Sequence, residues 1–302
     1  MDRRSFMKLS GSALGTISLI GGTGSILEAS GANANANAKS KKKIGLQLYS
    51  LRSDMGKDPD RTLKAVADIG YSYVESYGYN GKFFGKTPSD FKKQMEDLGM
   101  KMTSSHTGFG VYDNDTTANW DAVKKNMDDT LEAGAKWIVQ AGYPGGRYTK
   151  LDQVRKLADT FNRVGELAVS KGLKFGYHNH REEFRAIENR IPYQMYIELT
   201  EKNLVAFQMD IGHAANEMAD YLIYLIKYPG RFGLMHICDS NIFTKSSTEV
   251  GQGDVRLKEV FDLFANAGVE DYYVEQERYN YEPLTSIKMC YDYLNKAKFV
   301  KW

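Results

Sequence analysis

One helix–strand unit of this chain reads LDQVRKLADTFNRVGELAVSKGLKFGYHNH, residues 151–180. Apolar side chains recur at helical spacing over Leu151–Lys171, and Gly172 follows where a helix would end in the left-handed conformation. The next run, Leu173–His178, has the composition of a buried strand, and histidines stand at its end. A helix that leads directly into such a strand is typical of a parallel sheet.

The same alternation continues along the chain in both directions. Strands are predicted at Ile44–Tyr49, Tyr73–Tyr77, Lys101–His106, Trp137–Ala141, Leu173–His178, Val205–Asp210, Phe232–Cys238 and Tyr272–Glu277. Helices are predicted at Asp60–Ile69, Thr87–Leu98, Trp120–Ala133, Leu151–Lys171, Pro192–Thr200 and Leu257–Ala267. This order predicts an α/β fold, a single-domain (β/α)₈ TIM barrel. A doubly wound open sheet is the alternative, but no G-x-G-x-x-G follows the first strand.

The beginning of the chain is predicted to be an export signal. Residues 1–38 combine the paired Arg3 and Arg4 with a modestly apolar run and several Ala-x-Ala sites. This resembles the twin-arginine signal of bacteria, which predicts a cleaved leader and a periplasmic location. Glycines interrupt the apolar run, so no stable membrane anchor is expected. A disordered basic tail is the alternative. The barrel is then residues 39–302, about 260 residues, which suits one large α/β domain.

Charge and cysteine content exclude other classes of protein. The formal net charge is only +2, which gives no indication of nucleic-acid binding. The two cysteines, Cys238 and Cys290, could pair in an oxidising compartment. They do not form the framework that a small disulfide-rich protein needs.

All five histidines stand at or near predicted strand ends. Catalytic side chains of a (β/α)₈ barrel lie at the C-terminal ends of its strands, so these histidines are expected to meet at one face. Strands five to eight contribute His178, Asp210, His236 and Glu275, a nitrogen and oxygen set that suits Mn²⁺, Zn²⁺, Co²⁺ or Fe²⁺. Each residue has a structural alternative: Asp210 could be only a helix N-cap, and Glu275 could pair with Arg278.

Several motifs together resemble one known family. They are Gly45–Arg52 (GLQLYSLR), Ser104–His106 (SSH), Tyr177–Phe184 (YHNHREEF), Met209–His213 (MDIGH), His236–Ser240 (HICDS), Gly251–Val255 (GQGDV) and Val274–Glu277 (VEQE). The chain resembles the xylose isomerase-like TIM-barrel superfamily, often called sugar phosphate isomerase/epimerase, over nearly all of residues 39–302. The YHNHREEF string is the most specific, and it is similar to the branch with inosose dehydratase-like and keto-glycoside-processing proteins.

The resemblance implies a divalent cation bound by Glu, Asp, His and Glu on strands five to eight. These positions fall on His178, Asp210, His236 and Glu275. The chain departs from the family at strand five, where His178 stands in place of Glu. Either His178 binds the ion directly, or Glu183 reaches back to it, or the site is weaker.

The resemblance also implies removal of a proton next to a carbonyl. His180 or Glu275 would be the base, and the other would return a proton. The substrate-binding residues are predicted to be His106, Glu75, Asp239 and Glu277. The expected substrate is a small carbohydrate, a keto-sugar or a 3-keto-glycoside, and epimerisation, isomerisation and elimination stay open.

Two other functions are weighed against this one. A non-catalytic periplasmic sugar-binding protein would keep the barrel without turnover, and the departure at His178 is consistent with it. A metal-dependent abasic-site endonuclease is disfavoured, because that class needs a multi-zinc cluster and a basic DNA-binding face. The sequence leaves open the sugar, the ion, the oligomeric state and the role of Cys238, which shares the strand face of His236.

Overall fold

The computed structural model describes residues 42–112, 114–142 and 149–301. The predicted leader, residues 1–38, lies outside these ranges, as does its boundary with the barrel. The strands are β1 Gly45–Gln47, β2 Tyr73–Tyr77, β3 Met102–Thr107, β4 Trp137–Ala141, β5 Lys174–His178, β6 Val205–Asp210, β7 Leu234–Ile237, β8 Asp239–Asn241, β9 Ser246–Thr248 and β10 Asp271–Val274.

Eight of these strands close into one parallel barrel. Their order around it is β1–β10–β7–β6–β5–β4–β3–β2, which confirms the predicted (β/α)₈ architecture. Because every pair is parallel, all eight C-terminal ends open at the same face. The predicted eighth strand is too long, since β10 ends at Val274 and leaves Glu275 and Glu277 in the segment that follows it.

Helices alternate with the strands. They are α1 Arg52–Lys57, α2 Pro59–Ile69, α3 Pro88–Asp97, α4 Thr117–Glu132, α5 Leu151–Ser170, α6 Pro192–Leu199, α7 Ile211–Asn216, α8 Tyr221–Lys227, α9 Leu257–Asp262, α10 Phe264–Ala267 and α11 Pro283–Lys296. Short 3₁₀ turns are present at Leu48–Leu51, Gly110–Tyr112 and Glu182–Phe184. None of the helices within the described ranges is both long and apolar enough to cross a membrane.

Helix α5 illustrates why these segments are helical and how they pack. Val154, Leu157, Phe161 and Val164 recur every three or four residues, and all are buried. This spacing places them on one face of the helix, which the barrel covers. Gly172 then adopts a φ of +83°, which an L-residue with a side chain rarely adopts, and β5 begins two residues later.

A short hairpin follows β7, and the sequence patterns did not predict it. Strands β8 and β9 pair in antiparallel fashion outside the barrel, with Ser240 opposite Ser247. The possible disulfide is absent from the described structure, where Cys238 and Cys290 are both buried free thiols. Cys238 contacts Asp210, whereas Cys290 contacts Gln276, so the two thiols serve different parts of the fold.

Candidate metal centre

The C-terminal ends of β5, β6, β7 and β10 bring the four predicted ligands together. His178 ends β5, Asp210 ends β6, and Glu275 directly follows β10. His236 on β7 stands opposite Asp210 in the strand register. Each of the four side chains offers one ligand atom, and these atoms all lie within 4.8 Å of one another. One divalent cation fits that spacing, because ligand atoms lie about 2.0–2.3 Å from a zinc ion.

Glu75 of β2 is completely buried and accepts four hydrogen bonds. Its Oε1 accepts from Gln47 Nε2 and His236 Nε2, both at 2.6 Å. Its Oε2 accepts from Ser104 Oγ at 2.5 Å and Gln208 Nε2 at 2.8 Å. Burial alone would raise the pKa of Glu75, but neighbouring imidazoles and these hydrogen bonds lower it to about 2. The carboxylate is therefore ionised and fully partnered, and it supports His236 instead of facing a substrate as predicted.

Glu75 also determines which nitrogen of His178 is available as a ligand. Because the Gln208 amide nitrogen donates to Glu75, the Gln208 Oε1 must face His178 Nδ1, at 3.1 Å. An amide oxygen only accepts, so Nδ1 carries the proton and Nε2 keeps its lone pair. Burial and the neighbouring histidines lower the pKa of His178 well below its usual value, so the ring is neutral. A neutral imidazole with a free Nε2 is what a metal ion requires.

His236 is held between two carboxylates. Its Nε2 donates to Glu75, and its Nδ1 lies 2.6 Å from Glu275 Oε2. Burial lowers the pKa of His236, but Glu275 and Glu75 outweigh it and raise the pKa well above its usual value. The ring is therefore protonated on both nitrogens in this arrangement. A cation among the four ligands would replace the Nδ1 proton, and the hydrogen bond to Glu75 would hold the ring in place.

Asp210 is both a helix cap and a member of the ligand group. Its Oδ1 accepts the backbone N–H of His213 at 2.6 Å, which begins α7, and its Oδ2 accepts the Cys238 thiol at 3.0 Å. Asn179 also anchors it, since the amide bonds the backbone N–H and carbonyl of Asp210 at 3.1 and 3.2 Å. The cap and ligand roles, which the sequence presented as alternatives, are therefore compatible.

The five histidines form one contiguous cluster with His178 at its centre. The His178 ring centroid lies 4.6 Å from those of His106 and His236, 5.1 Å from His180 and 6.3 Å from His213. His106 Nε2 and His213 Nε2 are buried and have no hydrogen-bond partner among the described residues. Buried polar atoms are normally paired, so these two nitrogens indicate a place for an ion or a substrate.

A cavity of about 290 Å³ opens beside this cluster. Tyrosine side chains line one part of it, at Tyr49, Tyr77 and Tyr79. Ionisable side chains line the other part, at His106, His178, His180, Glu275 and Glu277. An apolar wall with a few converging polar groups is the usual form of a small-molecule site.

Comparison with known proteins agrees with this architecture. Residues 63–293 match the family described as xylose isomerase-like TIM barrel, and the match covers more than half of the chain. The chain belongs to this family.

Several named relatives and solved structures are similar to this xylose isomerase-like barrel. A sugar phosphate isomerase/epimerase from Parabacteroides distasonis is 29% identical with a TM-score of 0.79, over 91% of this chain and 100% of that one. The inosose dehydratase of Geobacillus thermodenitrificans is 25% identical over 246 residues, 70% of this chain and 80% of the relative. That of Clostridium perfringens is 27% identical over 145 residues, 42% of this chain and 48% of the relative. The chain thus spans about half the length of the Clostridium perfringens relatives that it matches.

Glu183 lies apart from the ligand group of this xylose isomerase-like barrel. Its Oε1 accepts the Tyr177 hydroxyl at 2.6 Å, and its Oε2 accepts the backbone N–H of His180 at 3.1 Å. Both oxygens are thus used to fix the segment after β5, and the groups of converging ligand atoms found among the described residues do not include Glu183. Of the two strand-five residues considered from the sequence, only His178 lies where a ligand is needed.

Asp239 anchors a loop and does not line the 290 Å³ cavity. Its two oxygens accept the backbone N–H groups of Ser240, Gly251, Gly253 and Val255, at 2.8–3.1 Å. A Cβ on Gly253 would lie 2.2 Å from Asp239 Oδ1, so glycine is needed for the loop to approach this closely. In the GQGD string, backbone N–H groups thus surround one carboxylate, so both oxygens of Asp239 already have partners within the protein.

Polar groups inside the barrel that position the ligands were not predicted from the sequence. Gln47, Ser104 and Gln208 are each buried, and each donates to Glu75. One signal could have found Gln208: it stands two residues before Asp210 on β6, so both side chains point to the same face. A polar side chain at an inward position of a barrel strand needs a partner there.

Proposed function

We propose that this protein is a divalent-metal-dependent carbohydrate enzyme that removes a proton next to a carbonyl and then isomerises, epimerises or eliminates. One observation carries the proposal. The ionised Glu75 accepts a hydrogen bond from His236 directly and controls His178 through Gln208, so that two imidazole ligands are oriented toward Asp210 and Glu275. Such outer hydrogen bonds are typical of metal-ligating histidines. The names of the relatives, sugar phosphate isomerase/epimerase and inosose dehydratase, agree with this class of reaction.

His178, Asp210, His236 and Glu275 would hold the ion. A bound divalent cation supplies an electrophile that polarises a carbonyl or neighbouring hydroxyl of the substrate. The set of two imidazoles and two carboxylates accepts Mn²⁺, Co²⁺, Fe²⁺ or Zn²⁺. Compared with a set that has glutamate at strand five, the set with His178 has one more nitrogen ligand and one negative charge fewer.

His180 and Glu275 are the proton-transfer groups in this proposal. Both line the cavity. Burial, followed by the neighbouring His213, lowers the pKa of His180, so its ring is neutral near pH 7 and can accept a proton. The backbone of His180 is held by Glu183, and its ring occupies space that Gly142 leaves free, since a Cβ there would lie 2.0 Å from Nδ1.

The substrate in this proposal is a small neutral carbohydrate that carries a carbonyl. His106 and Glu277 reach the cavity from β3 and from the segment after β10, and Tyr49 and Tyr77 provide ring faces. Aromatic faces and ionisable groups in one cavity suit the apolar and hydroxyl-bearing sides of a sugar ring.

Solvent-deuterium exchange with metal-loaded protein tests the reaction. Keto-sugars and 3-keto-glycosides are incubated in D₂O with protein that has been stripped by chelation and reloaded with Mn²⁺ or Co²⁺. Deuterium should enter the carbon-bound position next to the carbonyl only with ion present. Asp210→Asn should abolish exchange, whereas the control Asp271→Asn, at the start of β10 and outside the ligand group, should retain it.

Three results would contradict the proposal. Protein that binds no divalent ion by elemental analysis and thermal shift would rule out the metal dependence. Carbohydrate binding without exchange would support the alternative, a sugar-binding protein on the same barrel. Equal exchange in the two aspartate variants would show that the group around Asp210 is not the reacting site.

We also propose export to the periplasm by the twin-arginine route, which rests on residues 1–38 alone. Cell fractionation of a bacterial host that expresses the full chain should place the protein in the periplasm. The double variant Arg3→Lys, Arg4→Lys should remain in the cytoplasm. Equal distribution of both proteins would contradict the export proposal and would leave the proposed reaction untouched.

A further inference from the structure

Among the described residues, His178 belongs to three groups of converging ligand atoms, and two of these share no other member. The first contains Asp210, His236 and Glu275, as described above. The second contains His180 and His213, and its three ligand atoms also lie within 4.8 Å of one another. The three rings are neighbours, with centroids 5.1 Å apart for His178–His180 and for His180–His213. The two groups therefore overlap at a single residue.

The overlap at His178 makes the two groups mutually exclusive as complete ion sites. His178 Nδ1 faces the Gln208 carbonyl oxygen at 3.1 Å, which leaves only Nε2 as a ligand atom. One imidazole lone pair binds one ion. An ion that uses His178 together with Asp210 thus prevents an ion from using it together with His213.

His213 gives an independent indication that the second group binds a ligand. Its side chain is buried, with 8% of its surface exposed, and Nε2 has no hydrogen-bond partner among the described residues. The carboxylate that comes nearest, Glu277 Oε2, is 3.8 Å away, beyond hydrogen-bond distance. A buried polar nitrogen without a partner is costly, so an ion at this position would satisfy it.

The two groups differ in the ions that they prefer. Three imidazoles without a carboxylate suit Zn²⁺, which takes three histidines and an open fourth position in several enzymes. Mn²⁺ prefers carboxylate oxygens, which only the first group supplies. We propose that the barrel mouth has a second cation position, formed by His178, His180 and His213, that overlaps the first at His178 and prefers Zn²⁺.

Occupation of this second position has a consequence that rests on the proposed function. An ion there uses a lone pair of His180, the group assigned to proton transfer, and withdraws His178 from the first position. Zn²⁺ therefore inhibits the Mn²⁺-loaded enzyme in competition with Mn²⁺. The relative concentrations of Zn²⁺ and Mn²⁺ would then control the activity, because both positions use His178.

Metal affinities of two variants test the second position without any activity measurement. Zn²⁺ and Mn²⁺ affinities of the full chain are measured by competition with a chromophoric chelator for wild type, His213→Gln and Asp210→Asn. Both variants preserve the α7 cap, because the cap uses the His213 backbone N–H and an oxygen that Asn retains. Unfolding curves of the ion-free proteins verify that each variant is folded.

His213→Gln should weaken Zn²⁺ binding by about tenfold or more, comparable to the loss of a group next to a metal, and should leave Mn²⁺ binding unchanged. Asp210→Asn should weaken Mn²⁺ binding and affect Zn²⁺ binding less. Unchanged Zn²⁺ affinity in His213→Gln, or equal loss of both ions in either variant, overturns the second position. If instead Asp210→Asn leaves Mn²⁺ binding intact while His213→Gln loses Zn²⁺, the first position fails and the second stands. If wild type binds neither ion, both fail.

Discussion

The interior of the barrel has two layers with different chemistry on the same strands. The lower layer is a separate apolar cluster of Tyr73, Trp137, Val139, Leu234 and Tyr273, which we call the floor cluster. The upper layer is the ionisable group around His178. Three strands contribute to both layers in a two-residue step: Tyr73 and Glu75 on β2, Leu234 and His236 on β7, and Tyr273 and Glu275 at the end of β10. Side chains two residues apart on a strand face the same way. The same face of each strand therefore carries an apolar side chain in the lower layer and an ionisable side chain in the upper layer.

The two layers also differ in how completely they are filled. In the floor cluster, aromatic rings occupy the space that glycines leave. A Cβ on Gly45 would lie 2.3 Å from the Tyr73 ring, and one on Gly233 would lie 2.4 Å from the Trp137 ring. The upper layer instead lies next to a cavity of about 290 Å³, and its unpartnered buried nitrogens, His106 Nε2 and His213 Nε2, belong to imidazoles, which can bind a metal ion. The floor cluster also has an unpartnered nitrogen, Trp137 Nε1, but an indole N–H can only donate. This difference indicates that the floor cluster contributes stability, while the upper layer retains imidazole nitrogens that can bind an ion.

Removal of Trp137 should give the largest effect on stability. Trp137→Ala leaves a void in the floor cluster, which should lower the free energy of unfolding by about 3–5 kcal/mol. Mn²⁺ affinity should not change in the folded variant, because Trp137 lies outside the group of four side chains that would bind the ion. Urea unfolding and chelator competition measure the two quantities. The matched Trp120→Ala, at a partly exposed tryptophan, should cost clearly less. A large loss of Mn²⁺ affinity in folded Trp137→Ala would mean that the two layers are not separate.

Acid should destabilise the ion-free protein through the upper layer. Burial, with neighbouring histidines, lowers the pKa of His106 from 6.5 to about 4. The unfolded chain therefore binds more protons than the folded protein between these values. The contribution of His106 is present above pH 6.5 and is lost as the pH falls to about 4, an effect of about 3 kcal/mol. Urea unfolding in a chelator at several pH values measures it, and His106→Gln should reduce the slope in this window.

His213 offers a control of opposite sign. Burial lowers its pKa, but Asp210 and the nearby glutamates outweigh that effect and raise it. Its contribution is therefore present below the unfolded pKa and is lost as the pH rises through the folded one. His213→Gln should therefore remove a gain in stability that accompanies a fall in pH above 6.5, and it should leave the slope between pH 6.5 and about 4 unchanged. Parallel slopes for the two variants would contradict these assignments of charge.

Glu75→Gln should weaken metal binding without disturbing the packing of the floor cluster. An amide has one accepting oxygen, whereas the four groups around Glu75 all donate to it. If the amide nitrogen faces His236, that ring loses its acceptor; if it faces Gln208, the Gln208 amide turns and the protonated nitrogen of His178 changes. Mn²⁺ affinity should fall about 10–100-fold in either case. Glu183→Gln, also at a buried glutamate, should keep the wild-type Mn²⁺ affinity, and equal affinities for the two variants would argue against the role of Glu75.

The two layers were not equally predictable from the sequence. The barrel and the strand-end histidines could be predicted from local patterns. Helical spacing, a glycine such as Gly172 after a helix, and two-residue alternation are all visible within a few residues of sequence. The role of Glu75 depends on Gln208, 133 residues away, and on donors from three further strands. The role of Asp239 depends on a loop that returns to it from Gly251 to Val255. From their positions in the sequence, Glu75 and Asp239 were both predicted to contact substrate. Only the three-dimensional structure shows that other groups of the protein already bond to their oxygens.

Glu277→Gln should give the smallest change and would refine the boundary of the upper layer. Glu277 stands two residues after Glu275, but its side chain is 37% exposed and lies 3.8 Å from His213 Nε2. An exposed charge of this kind contributes little, so the free energy of unfolding should change by less than about 0.5 kcal/mol. Because Glu277 lines the cavity and lies outside the four-ligand group, the variant should keep its Mn²⁺ affinity and raise KM for the carbohydrate. Glu275→Gln should lose Mn²⁺ affinity under the same conditions. If Glu277→Gln loses Mn²⁺ as strongly as Glu275→Gln does, the ion lies further out, nearer the mouth of the barrel than the first position.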